Sequence, residues 1–276
     1  MEMKELNPIV KWVGGKRQLL PEILPMIPKE YDRYIEAFLG GGAVLLALQP
    51  KITIVNDSNK ELINLYKQVK SHSNKLIDLL KQYENTEEEF YKIRDIDRNP
   101  IEYNKLTDLE KAGRILYLNK TCYNGLYRVN SAGEFNAPFG RYKNPNIVNE
   151  KGIKALSEYF NSNTIEFLNG DFTVALRKAE KGDFVYLDPP YYPISKTSAY
   201  TGYTKTGFDE EQQIKLKNEC DKLNQKGIKF LQSNSDCKFI RELYKDYSIK
   251  IVKAKRNINS KGDRRNPINE VLIYNY

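Results

Sequence analysis

The chain has 276 residues, enough for one large or two modest domains with a sizeable core. Its formal charge of +8 favours a polyanionic partner, a nucleic acid or an anionic surface. A single histidine (His72), three cysteines without metal spacing (Cys122, Cys220, Cys237) and no apolar run near ~18 residues argue against a zinc site, a Ser/His/Asp triad and a membrane-spanning helix. The odd thiol count, with no apolar signal segment after Met1-Glu2-Met3-Lys4-Glu5, predicts a reducing, cytoplasmic setting.

The first motif in chain order is Lys11-Trp12-Val13-Gly14-Gly15-Lys16. Trp12, the only tryptophan, reads as a core or lid aromatic, or as a cation–π partner beside a glycine turn. Lys16, by pattern alone, reads as a solvated base. Arg33–Phe38 reads as a strand, and Leu39-Gly40-Gly41-Gly42-Ala43-Val44 follows it. Glycines there let the backbone approach a ligand and turn sharply into a helix. The run is not the dinucleotide fingerprint, whose third glycine position holds Leu45, and it lacks the Gly-Lys-Ser/Thr of a P-loop. Ile52–Asn56 is the next strand. Asp57 at its carboxyl end can hold ribose hydroxyls, or with Ser58 can cap a helix.

Between about Ser58 and Asn163 no convincing strand appears, so this stretch reads as a helical insertion in an α/β sheet. Helices are predicted from Glu61 to Lys70, Asn74 to Gln82, Glu87 to about Ile96, and Asp108 to Leu118. Within it, Leu126–Asn130 and Glu134–Ala137 flank Ser131-Ala132-Gly133, a hairpin signal with Gly133 supplying positive φ. A hairpin suits the major groove, where an arginine such as Arg128 reads guanine; an arginine on a solvated strand edge is the plainer alternative.

Alternation then returns. Strand Ile165–Leu168 leads to Asn169-Gly170-Asp171, and a helix runs from Thr173 to about Ala179. After strand Phe184–Leu187 comes a long loop carrying Tyr200 and Tyr203. A helix from about Asp209 to Gln225, strand Ile228–Gln232 and helix Cys237–Leu243 follow. Ile249–Val252 and Val271–Tyr274 close the sheet as an antiparallel pair. Between Lys250 and Arg265, seven basic residues stand against one acidic residue, a pattern that suits phosphate contacts through Arg256 and Arg264 or a merely solvated loop.

Asp188-Pro189-Pro190-Tyr191 is the most informative stretch. It places a carboxylate, two prolines and an aromatic ring at the carboxyl end of a buried strand, where open α/β sheets bind ligands. An amine on an aromatic base is a poor nucleophile, because its lone pair is delocalised into the ring. A carboxylate (Asp188) and a rigid carbonyl (Pro189) can accept its two hydrogens and free that lone pair, while Tyr191 stacks on the base. A strand ended by an Asp-Pro turn is the plainer reading.

Together, Lys11–Lys16, Phe38–Gly42, Tyr123-Asn124-Gly125-Leu126-Tyr127-Arg128, Gly133–Tyr142 and Asp188–Tyr191 resemble the Dam family of DNA adenine-N6 methyltransferases. Within that family the chain is most similar to the Dpn-type methylases that protect GATC sites. The likeness runs from about Pro8 to Val271. It implies a seven-stranded S-adenosylmethionine-dependent methyltransferase sheet built from residues 1–57 and 164–276. Residues 58–163 would form an inserted helical target-recognition domain with a β-hairpin at about 123–140. It implies contacts to S-adenosyl-L-methionine from Trp12, Gly14, Lys16, Phe38, Gly40, Gly42, Asp57, Asp171 and Asp188. For Asp171 a helix-cap role is as compatible with the pattern. The resemblance implies duplex-DNA contacts from Lys11, Tyr123, Asn124, Leu126, Arg128 and Pro138, with an adenine flipped out of the helix. A restriction endonuclease acting on the same site would be a functional partner, and the setting would be the nucleoid. Cytosine-N4 methylation and a non-catalytic DNA-binding protein of the same fold are the alternatives. Retention of the glycine loop, Asp57 and Asp188 together speaks against the latter.

Overall fold

The computed structural model describes residues 5–193, 208–254 and 268–276. Tyr200, Tyr203, Arg256 and Arg264 lie outside them. Seven strands form one sheet: β1 (Tyr34–Glu36), β2 (Ile52–Asp57), β3 (Thr164–Asn169), β4 (Phe184–Leu187), β5 (Lys229–Ser235), β6 (Ser248–Ala254) and β7 (Ile268–Tyr274), in the order β3-β2-β1-β4-β5-β7-β6. The first five are parallel. β7 runs antiparallel between β5 and β6, closing the sheet as the sequence predicts.

The chain moves outward from β1 to β2 and β3, then returns to β4 on the other side of β1 and proceeds to β5. The order therefore reverses between β1 and β4. Loops leaving the carboxyl ends of those two strands part there and open a crevice, which is where such sheets bind ligands.

Alternation along each strand supplies both faces with apolar residues. Tyr34, Val55, Tyr186, Leu231 and Leu272 join one buried cluster; Ile35, Ile54, Val185, Phe230 and Val271 join the other. The continuous apolar run of β4 follows from this, since all four of its residues are buried.

Short helices α1 (Leu20–Ile23) and α2 (Ala43–Leu48) flank β1. Between β2 and β3 lie α3 (Lys60–Leu80), α4 (Glu87–Arg94), α5 (Pro100–Lys105), α6 (Asp108–Thr121) and α7 (Glu150–Ser162). Residues of α3, α4, α6 and α7 share the first cluster with the sheet. The second face is covered by α8 (Thr173–Leu176), α9 (Glu210–Gln225) and α10 (Lys238–Leu243). No helix among the described residues is long and apolar enough to cross a membrane.

Element boundaries differ from expectation in informative places. The helices predicted on either side of residue 72 form one element, α3, broken at His72, whose φ of −138° and ψ of 34° are not helical. The strand predicted over Arg33–Phe38 is only Tyr34–Glu36, because the chain leaves the ladder early to form the glycine loop. The helix after Asp171 stops at Leu176 rather than near Ala179. β5 extends to Ser235, beyond the apolar run that ended at Gln232; its polar end is buried because every one of those side chains finds a partner. Helices α5 and α7 were not anticipated, although Ile153, Leu156, Tyr159 and Phe160 bury a helical stripe of α7.

The hairpin is present in reduced form. Asn130 N donates to the Glu134 carbonyl and Asn136 N to the Arg128 carbonyl, each at 2.9 Å. Val129 pairs with Phe135 and Cys122 with Phe139 as isolated bridges. Gly133 turns the chain at φ 89°.

Candidate active site and DNA-reading face

Asp188 follows β4 directly, and Pro189 beside it is buried. Two donors converge on one oxygen of its carboxylate. Lys16 Nζ lies 2.8 Å from Oδ1, and Ser233 Oγ donates to the same atom at 2.8 Å. Burial pushes the Asp188 carboxyl up from its ordinary range, and the charge and hydrogen bond of Lys16, with Ser233, pull the other way without cancelling it. Lys16 is thus no solvated base: it is buried, donates to the Gly14 carbonyl at 2.6 Å, and its Nζ lies 4.5 Å from the Tyr191 ring centre. The Tyr191 hydroxyl donates to Glu270 Oε2 on β7 at 2.7 Å.

The polar end of β5 holds the segment after the prolines. Gln213 of α9 donates to the Pro190 carbonyl at 2.9 Å and accepts from Asn234 at 3.0 Å. Ser235 Oγ donates to the Tyr192 carbonyl at 2.8 Å. Ser233, Asn234, Gln213 and Glu270 were missed in the sequence. For Ser233 and Asn234 the one signal is the polar Ser-Asn-Ser run continuing an apolar strand; Gln213 and Glu270 carry no comparable signal.

The glycine loop lies across the crevice. Gly40 has a φ of 49°, and a methyl group placed there would lie 3.1 Å from Trp12 Cδ1, so the Trp12 ring occupies the space a side chain would need. Trp12 also stacks on Tyr127, ring centres 4.8 Å apart and planes 22° from parallel. Trp12 therefore joins the glycine loop to the Tyr123–Arg128 segment. Gly42, at φ 69°, precedes α2. Phe38 stacks on Phe172 and meets Phe208 edge-on.

Asp57 braces this loop. Its Oδ2 accepts from Gly40 N and its Oδ1 from Asn59 N, both at 2.8 Å. The cap of α3 is Asn59, whose side chain accepts from Leu62 N, so the Asp57-Ser58 cap reading shifts two residues along. Each Asp57 oxygen keeps a second acceptor position. Asp171, at the end of β3, accepts from Thr173 N and Oγ1 and pairs with Lys215 at 3.0 Å. Burial raises its carboxyl, but Thr173 and Lys215 outweigh this and leave it lowered. Asp171, Asp57, the glycine loop and Asp188 thus stand at the carboxyl ends of β3, β2, β1 and β4, four neighbours in the sheet. The Gly14–Lys16 turn faces Asp188.

A separate group of residues gathers around Asn119 of α6. Its side chain accepts from Lys11 N at 2.8 Å and donates to the carbonyls of Lys11 at 2.8 Å and Gly125 at 3.1 Å. This ties the Lys11 segment to the turn holding Tyr123 and Asn124, both exposed, with Asn124 at φ 59°. Leu126 is half-buried, and Pro138 is exposed and accepts from Tyr123 N at 2.8 Å. Arg128 is exposed but occupied: Nε donates to Asn136 Oδ1 at 2.7 Å and Nη2 to the Asn136 carbonyl at 3.1 Å. From below, Asp97 accepts from Phe135 N and pairs with buried Arg114, each at 2.7 Å, and Arg98 donates to the Phe135 carbonyl at 2.8 Å.

The sequence of the whole chain decides the family. A model of the D12 class N6 adenine-specific DNA methyltransferases matches residues 12–258. The chain belongs to that family. It is an adenine-specific DNA methyltransferase, and the cytosine-N4 and non-catalytic alternatives fall away. It is 45% identical to the type II methyltransferase M1.LlaDCHI of Lactococcus lactis subsp. cremoris, over 98% of this chain and 96% of that protein. It is 42% identical to the type II methyltransferase M.MjaIII of Methanocaldococcus jannaschii, over 99% of this chain and 100% of that protein. The DNA adenine methylase of Escherichia coli K12 is 34% identical, over 98% and 95%. The methyltransferase needs a methyl donor, and its substrate is DNA.

Proposed function

We propose that the methyltransferase transfers a methyl group from S-adenosyl-L-methionine to N6 of an adenine turned out of duplex DNA, within GATC. The observation that carries the reading is the Asp188 carboxylate beside the Tyr191 ring, at the point where the strand order reverses. Both described donors to Asp188 fall on Oδ1, which supports Oδ2 as the acceptor for the incoming amine. The Pro189 carbonyl takes the other N–H, and Tyr191 stacks on the base. Withdrawing both hydrogens makes the nitrogen more tetrahedral and aims its lone pair at the donor. The adenine can meet these groups only outside the helix, since its N6 is otherwise engaged in the base pair.

The donor set fits an adenosyl sulfonium compound. It presents acidic residues for hydroxyls and an amine (Asp57, Asp171, Asp188), glycines at positive φ that let backbone approach (Gly40, Gly42, with Gly14 opposite), and aromatics (Trp12, Phe38) for an adenine ring. When bound, this group supplies the electrophilic methyl. Trp12 offers only one ring face, because Tyr127 covers the other.

Residues 58–163 are assigned to target recognition. Lys11, Tyr123, Asn124, Leu126, Arg128 and Pro138 form its reading edge, with Arg256 and Arg264 added as phosphate contacts. Arg128 must exchange Asn136 for a guanine edge to read sequence. Names of relatives as type II methyltransferases support a restriction–modification setting and an endonuclease that cuts the same site.

The test is to incubate plasmid DNA with the purified enzyme and labelled S-adenosylmethionine and map the modified bases. Methylated adenine confined to GATC supports the reading, and label at another sequence removes the site assignment. Asp188→Ala is expected to abolish transfer while leaving DNA binding largely intact. Near-wild-type turnover by that variant would end the role given to Asp188.

A further inference from the structure

A second carboxylate, that of Glu270, stands near Lys16 by way of the Tyr191 ring. The Lys16 ammonium lies 2.8 Å from Asp188 Oδ1 and 4.5 Å from the centre of the Tyr191 ring. The hydroxyl of that same ring donates to Glu270 Oε2 at 2.7 Å. Burial holds the Glu270 carboxyl above its ordinary range; the Lys16 charge and the Tyr191 hydroxyl pull it down without cancelling this, and Asp188 adds to the rise. It stands on β7 opposite Ser235 of β5, two residues beyond the Ser233 that holds Asp188. Glu36, a third carboxyl nearby, is occupied by the Tyr34 hydroxyl at 2.8 Å.

We propose that Glu270 is a positioning residue for methyl transfer: it fixes the Tyr191 ring through its hydroxyl and shares the charge of Lys16 when the base amine engages Oδ2 of Asp188. This rests on the reading of Asp188 as the acceptor of that amine. An amine N–H accepted at Oδ2 draws on the same carboxylate charge that holds Lys16 at Oδ1, and so weakens that hold. Lys16 is only 7% exposed, so its ammonium cannot simply retreat into water, and a buried charge without a partner is costly. Glu270 supplies the alternative partner. The route between the two carboxylates runs over the face of Tyr191, which attracts a cation, and a lysine's flexible stem suits such a move. Two carboxylates would thus share one cation.

Four single variants and one double variant test this, using donor affinity by calorimetry, melting temperature, and kcat and KM for a cognate duplex. Glu270→Gln keeps the shape and an acceptor for Tyr191 but removes the charge. Tyr191→Phe keeps the charge but removes the hydrogen bond. Glu270→Asp keeps the charge on a shorter stem. Lys16→Gln and the double variant Lys16→Gln/Glu270→Gln complete a cycle.

The expected result is that Glu270→Gln binds donor and melts as wild type but loses about tenfold or more in kcat/KM, the scale on which losing the partner of a buried charge acts. Tyr191→Phe should lose less, and Glu270→Asp should recover part of the loss. Adding Glu270→Gln to Lys16→Gln should cost little more. The proposal is overturned if the two losses multiply in the double variant, if Glu270→Gln is no worse than Tyr191→Phe, or if Glu270→Asp recovers nothing. The Asp188→Ala assay separates the causes. Turnover by that variant removes the underlying reading of Asp188, whereas its inactivity combined with multiplying losses removes only the role of Glu270.

Discussion

At the scale of single residues, Asp57 and Glu36 behave differently, the first half-buried at the crevice and the second buried. Asp57 spends one lone pair of each oxygen on the loop backbone and retains capacity for a ligand. Asp57→Ala should therefore weaken S-adenosylmethionine binding by ~1–3 kcal/mol, the cost of losing a hydrogen bond to a charge. Calorimetry giving unchanged affinity would reduce Asp57 to a brace for Gly40. Glu36 lies on β1 behind that loop. Burial raises its carboxyl to about 8, against the hydrogen bond from Tyr34. Between its ordinary value of 4.5 and about 8, the folded chain binds more proton than the unfolded chain. Stability contributed by this group is therefore present at low pH and lost as pH rises through that window. The difference in melting temperature between Glu36→Gln and wild type should shift in the variant's favour from pH 5 to pH 8; a constant difference would show that Glu36 does not titrate there.

At the scale of elements, the proposed reading edge is only as well placed as the supports beneath it. Asn119 makes three hydrogen bonds from inside α6, two to Lys11 and one to Gly125. Asn119→Ala leaves those backbone groups unpaired and should cost ~1–3 kcal/mol of stability. It should also blur discrimination between GATC and a single-base mismatch, measured by duplex titration; loss of stability with full discrimination would make Asn119 a fold residue alone. Arg128→Ala should remove a bidentate contact, costing ~1–3 kcal/mol on the cognate duplex and relaxing choice at one guanine. Equal losses on cognate and mismatched duplexes would make the hairpin a positioning element instead.

At the scale of the whole molecule, a net charge of +8 makes binding to DNA salt-dependent. The basic stretch from Lys250 to Arg265 concentrates that charge in the sequence. Arg264→Ala should weaken cognate and non-cognate binding by the same factor and make the slope of log affinity against log salt shallower by about one. A change confined to the cognate duplex would instead give Arg264 a role in reading bases. The sheet order explains how one chain serves both tasks. On the proposed reading, β1 and β4 open the crevice for transfer, while the long excursion between β2 and β3 carries Tyr123, Asn124 and Arg128 for DNA; the Trp12–Tyr127 stack joins the two.

The sequence by itself determined the sheet, its closing antiparallel pair and the positions of Asp188, Asp57 and the glycine loop. Apolar alternation and glycine punctuation are local signals, readable within a few residues. It also carried the family, because its motifs are contiguous. Only the tertiary structure decided who partners whom. Lys16 reads as solvated by pattern, yet it meets Asp188 from the far end of the chain, and Glu270 meets Tyr191 from another strand. Asn119 looks like an isolated polar residue in an apolar run, yet it faces Lys11, more than a hundred residues away. The end of β5 looks too polar to be buried, and it is buried because Asp188, Gln213 and Tyr192 satisfy it. A hydrogen bond or an ion pair depends on geometry between distant segments. That geometry exists only once both faces of the sheet have packed, so no spacing along the chain encodes it.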